Sequence, residues 1–177
     1  MGIGKVRAVF LDRDGVLNEA IVRDGKPYPP RTLDEFRIVK GAAEALGELK
    51  RAGFLLIVVT NQPDVARGTV SREAVEAFDA ALRAGLPVDD IFTCFHDDAD
   101  GCDCRKPKPG LLIAAAEKYG IDLGSSYMIG DRWRDVDAGA AAGCRAILID
   151  RAYDERGPEH RPWGRVGSLA EAVRVLE

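Results

Sequence analysis

Apolar runs alternate with amphipathic stretches along the chain, and this alternation predicts strands separated by helices. An apolar run at residues 6–11 is followed by a helical pattern at 42–52 and by a second apolar run at 54–59. Apolar residues recur every three or four positions in the helical stretch, so one face can pack on a sheet. The order strand, helix, strand therefore opens a parallel sheet.

The same alternation continues to the C-terminus. Ser71 is placed to cap a helix that carries Val75, Phe78 and Leu82, and the box from Ser168 to Glu171 opens a last helix. Further strands are predicted at 91–94, 127–130 and 146–150, and further helices at 109–119 and 136–142. We expect a doubly wound, Rossmann-like α/β fold, a parallel sheet with helices on both faces. The intervals between motifs leave no room for a large cap domain.

Length, charge and hydropathy narrow the classes of function. The 177 residues suit one domain, so we expect a single domain over 1–177. The net charge of -4 comes from scattered charges without a basic stripe, so nucleic acid is not an expected partner. The apolar runs are far shorter than the ~20 residues that span a bilayer, and residues 1–10 lack a stretch of signal-peptide length. We expect a cytoplasmic monomer that acts on a small molecule and has no membrane partner.

Two carboxylates follow the first predicted strand, and Gly15 permits a tight turn after them. Asp12 and Asp14 stand two residues apart, so both side chains can reach one ligand. One carboxylate could attack phosphorus while the other donates a proton to the leaving oxygen and later accepts one from water. We predict Asp12 as nucleophile and Asp14 as acid/base. The alternative is that both residues are ordinary turn formers.

Three other polar residues fit the same chemistry. Asp131 follows the strand predicted at 127–130, and with Asp12 it would form a hard oxygen site suited to magnesium. The hydroxyl of Thr60 and the ammonium of Lys106 could hold phosphoryl oxygens during transfer. Threonine is also common strand filler, and a lysine between arginine and proline is also common at the surface. The order of these residues along the chain carries more information than any one of them.

That order resembles the four motifs of the haloacid dehalogenase superfamily, whose members include phosphatases. The matching segments are Asp12-x-Asp14-Gly15-Val16, Thr60-Asn61, Lys106 and Gly130-Asp131-x-x-x-Asp135. The resemblance implies these roles: nucleophile for Asp12, acid/base for Asp14, phosphoryl contacts for Thr60 and Lys106, Mg²⁺ ligation by Asp12, Asp131 and the Asp14 carbonyl, and a supporting acid in Asp135.

A second metal site is predicted from residues that are close in the sequence. Cys94, His96, Cys102 and Cys104 lie within eleven residues and can close a tetrahedral zinc site. Four protein ligands leave no position for water, so we expect this zinc to be structural. The alternative is free surface thiols with a chance histidine. Cys144 stands apart, and we expect it to be a buried small residue.

The zinc-loop pattern also resembles a subgroup of this superfamily that contains heptose bisphosphate and histidinol-phosphate phosphatases. The segments 60–62 and 66–68 are similar to those of the heptose enzymes, which favours a sugar bisphosphate; histidinol phosphate is the alternative. Pro63-Asp64 and Phe95 depart from that pattern. We expect substrate contacts from the loop around residues 23–31, from Asn61 and from Arg105. The sequence assigns no role to Arg23, Arg31 or Arg132.

Two further functional classes are compatible with an acidic cluster on such a sheet. A receiver-like regulatory module would accept a phosphoryl group without hydrolysing a substrate, but it would have little use for the second carboxylate of Asp14. A phosphotransferase or mutase would have to exclude water, which the predicted lack of a cap disfavours. We therefore expect a phosphomonoester hydrolase.

Overall fold

Eight strands and five α-helices make up the structure, a computed structural model that describes residues 5–176. Residues 1–4 and residue 177 lie outside the described part. The first four belong to the segment 1–10, in which no targeting signal is predicted. In chain order the elements are β1 (Ala8–Leu11), β2 (Ile21–Arg23), β3 (Lys26–Tyr28), α1 (Ala42–Arg51), β4 (Leu55–Asn61), α2 (Arg72–Gly85), β5 (Asp90–Cys94), α3 (Gly110–Tyr119), β6 (Tyr127–Gly130), α4 (Trp133–Ala142), β7 (Arg145–Ile149), β8 (Gly164–Val166) and α5 (Leu169–Leu176).

A six-stranded sheet in the order β5-β4-β1-β6-β7-β8 forms the centre of the molecule. All of its neighbouring strands pair in parallel. Strand β1 lies between β4 and β6, with Leu11 opposite both Val58 and Ile129. The carboxyl ends of these three strands therefore meet at one edge of the sheet, which is where ligands bind in open α/β sheets.

Helices cover both faces of this sheet. Alternate residues of β1 point to opposite sides, as the pleat requires. Val9 and Leu11 belong to a core cluster with residues of α1, α2 and α5, whereas Ala8 and Phe10 belong to a cluster with residues of α3 and α4. All four are fully buried. The prediction of a doubly wound parallel sheet with helices on both faces is confirmed.

The helix ends follow the signals in the sequence. The Ser71 hydroxyl accepts a hydrogen bond from the backbone N–H of Ala74 at 3.1 Å and caps α2. At the start of α5 the Ser168 hydroxyl accepts from the Glu171 N–H at 3.2 Å, while the Glu171 carboxylate accepts from Gly167, one residue earlier than a capping box would place it. Among residues 5–176, no helix combines the length and apolar character needed to cross a membrane.

Two short features were not predicted. Strands β2 and β3 form an antiparallel hairpin whose turn residues, Asp24 and Gly25, both have positive φ, as tight hairpins require. Strand β8 extends the edge of the sheet beside β7. Each of these strands has only three residues, too few to show a periodic pattern. The hairpin fills the interval between β1 and α1 in which the sequence left no room for a large cap.

Candidate active site

A cavity of about 410 Å³ opens at the carboxyl ends of the central strands. Asp12 and Asp14 line it from the end of β1, and Asn61 lines it from the end of β4. Lys106, from the loop before α3, and Asp135, from the first turn of α4, complete the inner wall. Residues that are far apart in the sequence thus meet where the topology places a ligand site.

Lys106 joins two carboxylates at the base of this cavity. Its buried ammonium donates to Asp12 Oδ1 at 2.9 Å, to Asp135 Oδ1 at 2.6 Å and to the backbone oxygen of Val59 at 2.8 Å. Burial opposes the charged form of Lys106, but the two carboxylates outweigh it and raise the pKa of the ammonium. Burial, together with repulsion from Asp135, also raises the pKa of Asp12 to about 6. All three Lys106 donors engage protein groups, so the ammonium fixes the position of Asp12.

Asp14 is held by three side chains that donate to its carboxylate. Arg13 contacts both oxygens at 3.2 Å, Asn18 contacts Oδ1 at 2.9 Å and Gln62 contacts Oδ2 at 2.8 Å. The Arg13 guanidinium is fully buried and also donates to Asp79 on α2 at 3.1 Å. The predicted acid/base therefore has a fixed orientation, supported from α2 through a residue that the sequence analysis did not select.

Thr60 and Asn61 occupy the end of β4. The buried Thr60 hydroxyl accepts from Gln62 Nε2 at 2.9 Å, and this same amide group reaches Asp14. The Asn61 side chain donates to the Lys106 carbonyl at 3.0 Å and accepts from the Lys106 N–H at 3.1 Å. Asn61 thus lines the cavity and also clamps the backbone of Lys106, while Gln62 links the end of β4 to that of β1.

Three carboxylates fit the ligand set of a hard divalent cation. Oxygens of Asp12, Asp131 and Asp135 lie within 4.8 Å of one another. Asp135, the predicted supporting acid, accepts hydrogen bonds from Lys106 and from the backbone N–H of Arg132. Buried Asp131 Oδ1, in contrast, has no hydrogen-bond partner among the described residues. Burial and repulsion from Asp12 and Asp135 raise the pKa of Asp131. An unpartnered carboxylate oxygen, in a group of carboxylates that repel one another, is a suitable ligand for Mg²⁺.

The four predicted zinc ligands converge at the end of β5. The thiol of Cys94 lies 3.7 Å from that of Cys102 and 3.1 Å from that of Cys104, and His96 Nδ1 lies 3.3 Å from Cys104 Sγ. A tetrahedral site with Zn–S bonds of about 2.3 Å separates its sulfur atoms by about 3.8 Å. The longer of these sulfur separations approaches that value, and all four ligand atoms lie within 4.8 Å of one another, which suits a closed metal site. Cys144 is buried elsewhere, against α3 and α4.

Arginines from three parts of the chain surround the mouth of the cavity. Asp98 lies in residues 94–104, the segment that carries the four predicted zinc ligands and is called the metal loop below. Its carboxylate accepts hydrogen bonds from Arg105 Nε at 2.7 Å and from Arg134 Nη1 at 3.3 Å. The neighbouring Asp97 accepts from Arg67 through two bonds, at 2.7 and 2.8 Å. Buried Arg105 Nη1 has no partner among residues 5–176. The metal loop thus positions cations at the rim, and one of them retains an unused donor.

The residues without an assigned role separate into two groups. Arg31 and Arg132 line the cavity, whereas Arg23 lies over the ring of Tyr28 at 5.8 Å. Of the segments that depart from the heptose pattern, Pro63-Asp64 also lines the cavity, and Phe95 lies under Arg72. Several residues that support the site had no predicted role: Arg13, Asn18, Gln62, Asp98, Arg134 and Tyr153, whose hydroxyl donates to Asp131 Oδ2. Only Gln62 carried a signal, since it falls within the quoted segment 60–62.

Comparison with known proteins agrees with this geometry. The sequence model of the haloacid dehalogenase-like hydrolases matches residues 26–143. The D-glycero-beta-D-manno-heptose-1,7-bisphosphate 7-phosphatase of Pseudomonas putida is 39% identical and is matched over 85% of this chain and 86% of its own. The protein of the same name from Photorhabdus laumondii is also 39% identical, over 97% and 96%.

A solved structure extends the similarity to the whole fold. The crystal structure of D,D-heptose 1,7-bisphosphate phosphatase from B. bronchiseptica, complexed with magnesium and phosphate, superposes with a TM-score of 0.81 at 32% identity. The match covers 97% of this chain and 98% of that one. On the match of the family model, the extent of the sequence similarity and the motifs at the strand ends, the chain belongs to the haloacid dehalogenase-like hydrolases.

Proposed function

We propose that this hydrolase is a magnesium-dependent phosphatase that forms an aspartyl-phosphate on Asp12. The observation that carries the proposal is the pair of carboxylates at the end of β1. Asp12 is tied to Lys106, while Asp14 is held two residues further on by separate donors. Two carboxylates with different partners can perform different tasks at one phosphorus atom.

In the proposed reaction, a carboxylate oxygen of Asp12 attacks phosphorus and the bond to the leaving oxygen breaks. Asp14 protonates that oxygen, then accepts a proton from the water that hydrolyses the acyl phosphate. Thr60 contributes to holding the phosphoryl oxygens, and Lys106 does so by exchanging one of its three bonds to protein groups for a phosphoryl oxygen. Asp12, Asp131 and the Asp14 carbonyl would hold Mg²⁺, which would supply positive charge that lessens repulsion between the nucleophile and the anionic substrate.

The proposed substrate is D-glycero-D-manno-heptose 1,7-bisphosphate, cleaved at its 7-phosphate. The names of the most similar relatives support it. The cationic rim supports it independently, since a bisphosphate retains one phosphate outside the reacting centre and Arg105 has a donor available to bind it. Histidinol phosphate, the alternative, offers a cationic amine in place of that second phosphate, which a rim of arginines would repel.

For the cysteine and histidine cluster we propose a structural zinc ion. Three thiolates and one imidazole complete a tetrahedron, which leaves no open position for substrate. The loop continues directly into Arg105 and Lys106, so a bound ion would fix one residue for the substrate and one for the phosphoryl site.

We further propose a single domain over 1–177 that works as a cytoplasmic monomer. Light scattering of the purified protein tests the oligomeric state.

The experiment that tests the proposed function is inorganic phosphate release with Mg²⁺ from matched concentrations of the heptose bisphosphate, histidinol phosphate, and hexose and pentose phosphates. We expect kcat/KM for the heptose bisphosphate to exceed the others by about a hundredfold, or ~2.7 kcal/mol of transition-state discrimination. Preference for histidinol phosphate would overturn the substrate proposal. An isomerised sugar phosphate without released phosphate would indicate a mutase, and absence of any turnover would contradict the phosphatase itself.

A further inference from the structure

The segment 151–155, between β7 and β8, returns to the catalytic loops and contacts them through alternate residues. Arg151 donates from Nη2 to the Gly15 carbonyl at 3.0 Å. The Tyr153 hydroxyl donates to Asp131 Oδ2 at 2.7 Å. Glu155 Oε2 accepts two bonds from Arg132, at 2.9 and 2.6 Å. One short segment therefore touches the loop after β1 and the loop after β6.

The central contact of this segment bears on the acidic cluster. Asp131 is buried; its Oδ2 is occupied by Tyr153, and its Oδ1 has no partner among the described residues. With one oxygen tied, the carboxylate cannot turn freely about its terminal bond. The untied oxygen belongs to the group of carboxylates that lie within 4.8 Å of one another. The tyrosine thus determines which oxygen of Asp131 is left for a cation.

Tyr153 is itself held in place by its neighbours in the chain. Ala152 has a φ of 54°, and its N–H donates to Asp150 Oδ1 at 2.9 Å. The Asp154 N–H donates to the Gly25 carbonyl of the β2–β3 hairpin at 2.9 Å. Gly15 lies against both members of this pair, since a Cβ there would clash with Asp131 Oδ2 and lie 3.1 Å from the Tyr153 hydroxyl. A side chain that is anchored on both sides can act as a fixed support for its partner.

We propose that Tyr153 is a positioning residue for the magnesium-binding carboxylate of Asp131, and that segment 151–155 is the brace that carries it. The inference rests on the proposed function, because it requires Mg²⁺ at Asp131. Hydrogen bonds to a ligating group orient it and tune its affinity, and their loss typically weakens metal binding by about 10–100-fold.

The test is calorimetric titration of Mg²⁺ alone into wild type and Y153F, with no substrate present. Y153F keeps the ring and removes only the hydroxyl. We expect Y153F to raise the dissociation constant for Mg²⁺ about tenfold, and activity to need correspondingly more Mg²⁺ while kcat at saturating Mg²⁺ changes little. Y119F is the matched control, because Tyr119 donates a similar bond to Asp90 at 2.6 Å, away from the cavity; we expect it to bind Mg²⁺ like wild type.

Three outcomes separate the possibilities. A folded Y153F that binds Mg²⁺ as tightly as wild type would overturn the inference and leave the proposed function standing. A wild-type protein that binds no Mg²⁺ would overturn both. Should Y153F fail to fold, the R151L variant provides the test, because it removes the bond from Arg151 to the Gly15 carbonyl, another contact of the brace. Weakened Mg²⁺ binding by R151L would support the inference, and unchanged binding would overturn it.

Discussion

The two candidate metal centres of this protein are assembled in opposite ways. The cysteine and histidine cluster takes all four ligands from residues 94–104, a single loop at the end of β5. The acidic cluster combines Asp12, at the end of β1, with Asp131 and Asp135, which follow β6 more than a hundred residues later in the chain. A local site depends on the conformation of its loop, whereas the assembled site depends on the whole sheet being in register.

The two centres also meet at one residue. Lys106 follows the metal loop directly, and its ammonium contacts both Asp12 and Asp135. Damage to the loop should therefore reach the chemistry, although the loop holds no group that touches phosphorus.

The largest effect is expected from D12N. An amide cannot act as the nucleophile, so we expect turnover to fall by at least about 10⁴-fold. Zinc content should remain as in wild type, because the loop ligands are untouched. Steady-state phosphate release, zinc analysis and circular dichroism check this. D34N, at an exposed residue, is the control; near-normal activity in folded D12N would contradict the mechanism.

C102S tests the local centre. Removing one of four ligands should abolish stoichiometric zinc and cost several kcal/mol, a loss of about 10 °C in Tm for a chain of this size. Activity should also fall, because Lys106 loses its support. Metal analysis and thermal unfolding measure these effects. C144S, which alters a buried thiol outside the cluster, should keep one zinc per chain. Full activity in a zinc-free protein would refute the link between the centres.

R105M tests whether the loop also serves the substrate. Loss of the guanidinium should raise KM for the heptose bisphosphate about tenfold or more, since charge-assisted bonds contribute ~1.5–3 kcal/mol. Hydrolysis of a simple aryl monophosphate should change little, because it has no second phosphate. R145M, at an exposed arginine on β7, is the matched control. Equal losses on both substrates would show that Arg105 does not distinguish them.

The smallest effect is expected at the start of β5, the strand that ends at Cys94. Partial burial favours the neutral acid, but bonds from Lys118 and Tyr119 prevail and lower the pKa of Asp90 to about 2. Because the folded pKa is depressed, the stabilisation is complete above the unfolded value of 3.8 and disappears as pH falls through about 2.

D90N should therefore reduce the free energy of unfolding at pH 7 by about 1 kcal/mol or less, after allowance for solvent screening. The difference from wild type should shrink between pH 4 and pH 2, and zinc content should not change. Urea titrations across this range measure it, with D34N, at an exposed residue, as the control. A difference that persists undiminished at pH 2 would contradict the assignment.

The sequence predicted the sheet and both clusters for different reasons. The buried strands and the caps at Ser71 and Ser168 are local signals, and the alternation of elements predicts a parallel topology. The metal loop is visible because its ligands are neighbours. The acidic cluster could be anticipated because parallel strands bring their carboxyl ends to one edge, so Asp12 and Asp131 had to lie close together.

The contacts that the sequence did not predict are those that no pattern of neighbouring residues indicates. Tyr153 lies in a loop without periodicity, and nothing near it in the chain indicates a bond to Asp131. Arg13 stands between two acidic residues in the sequence, a pattern typical of a protein surface. In the structure its side chain is fully buried, and its guanidinium pairs with Asp14 and Asp79. Lys106 was expected to face substrate, and its three bonds to protein groups emerge only in three dimensions.

The position of Asp98 has a consequence for how such a protein can change over time. The four ligands fix the ends of the loop, while Asp97 is half-buried, residues 98–101 are exposed, and Asp97 and Asp98 contact the rim. Substitutions in this stretch can rearrange Arg67, Arg105 and Arg134 without moving Asp12 or Asp14. The loop is thus a separable module, in which new substrate preferences can arise while the hydrolytic machinery is inherited unchanged.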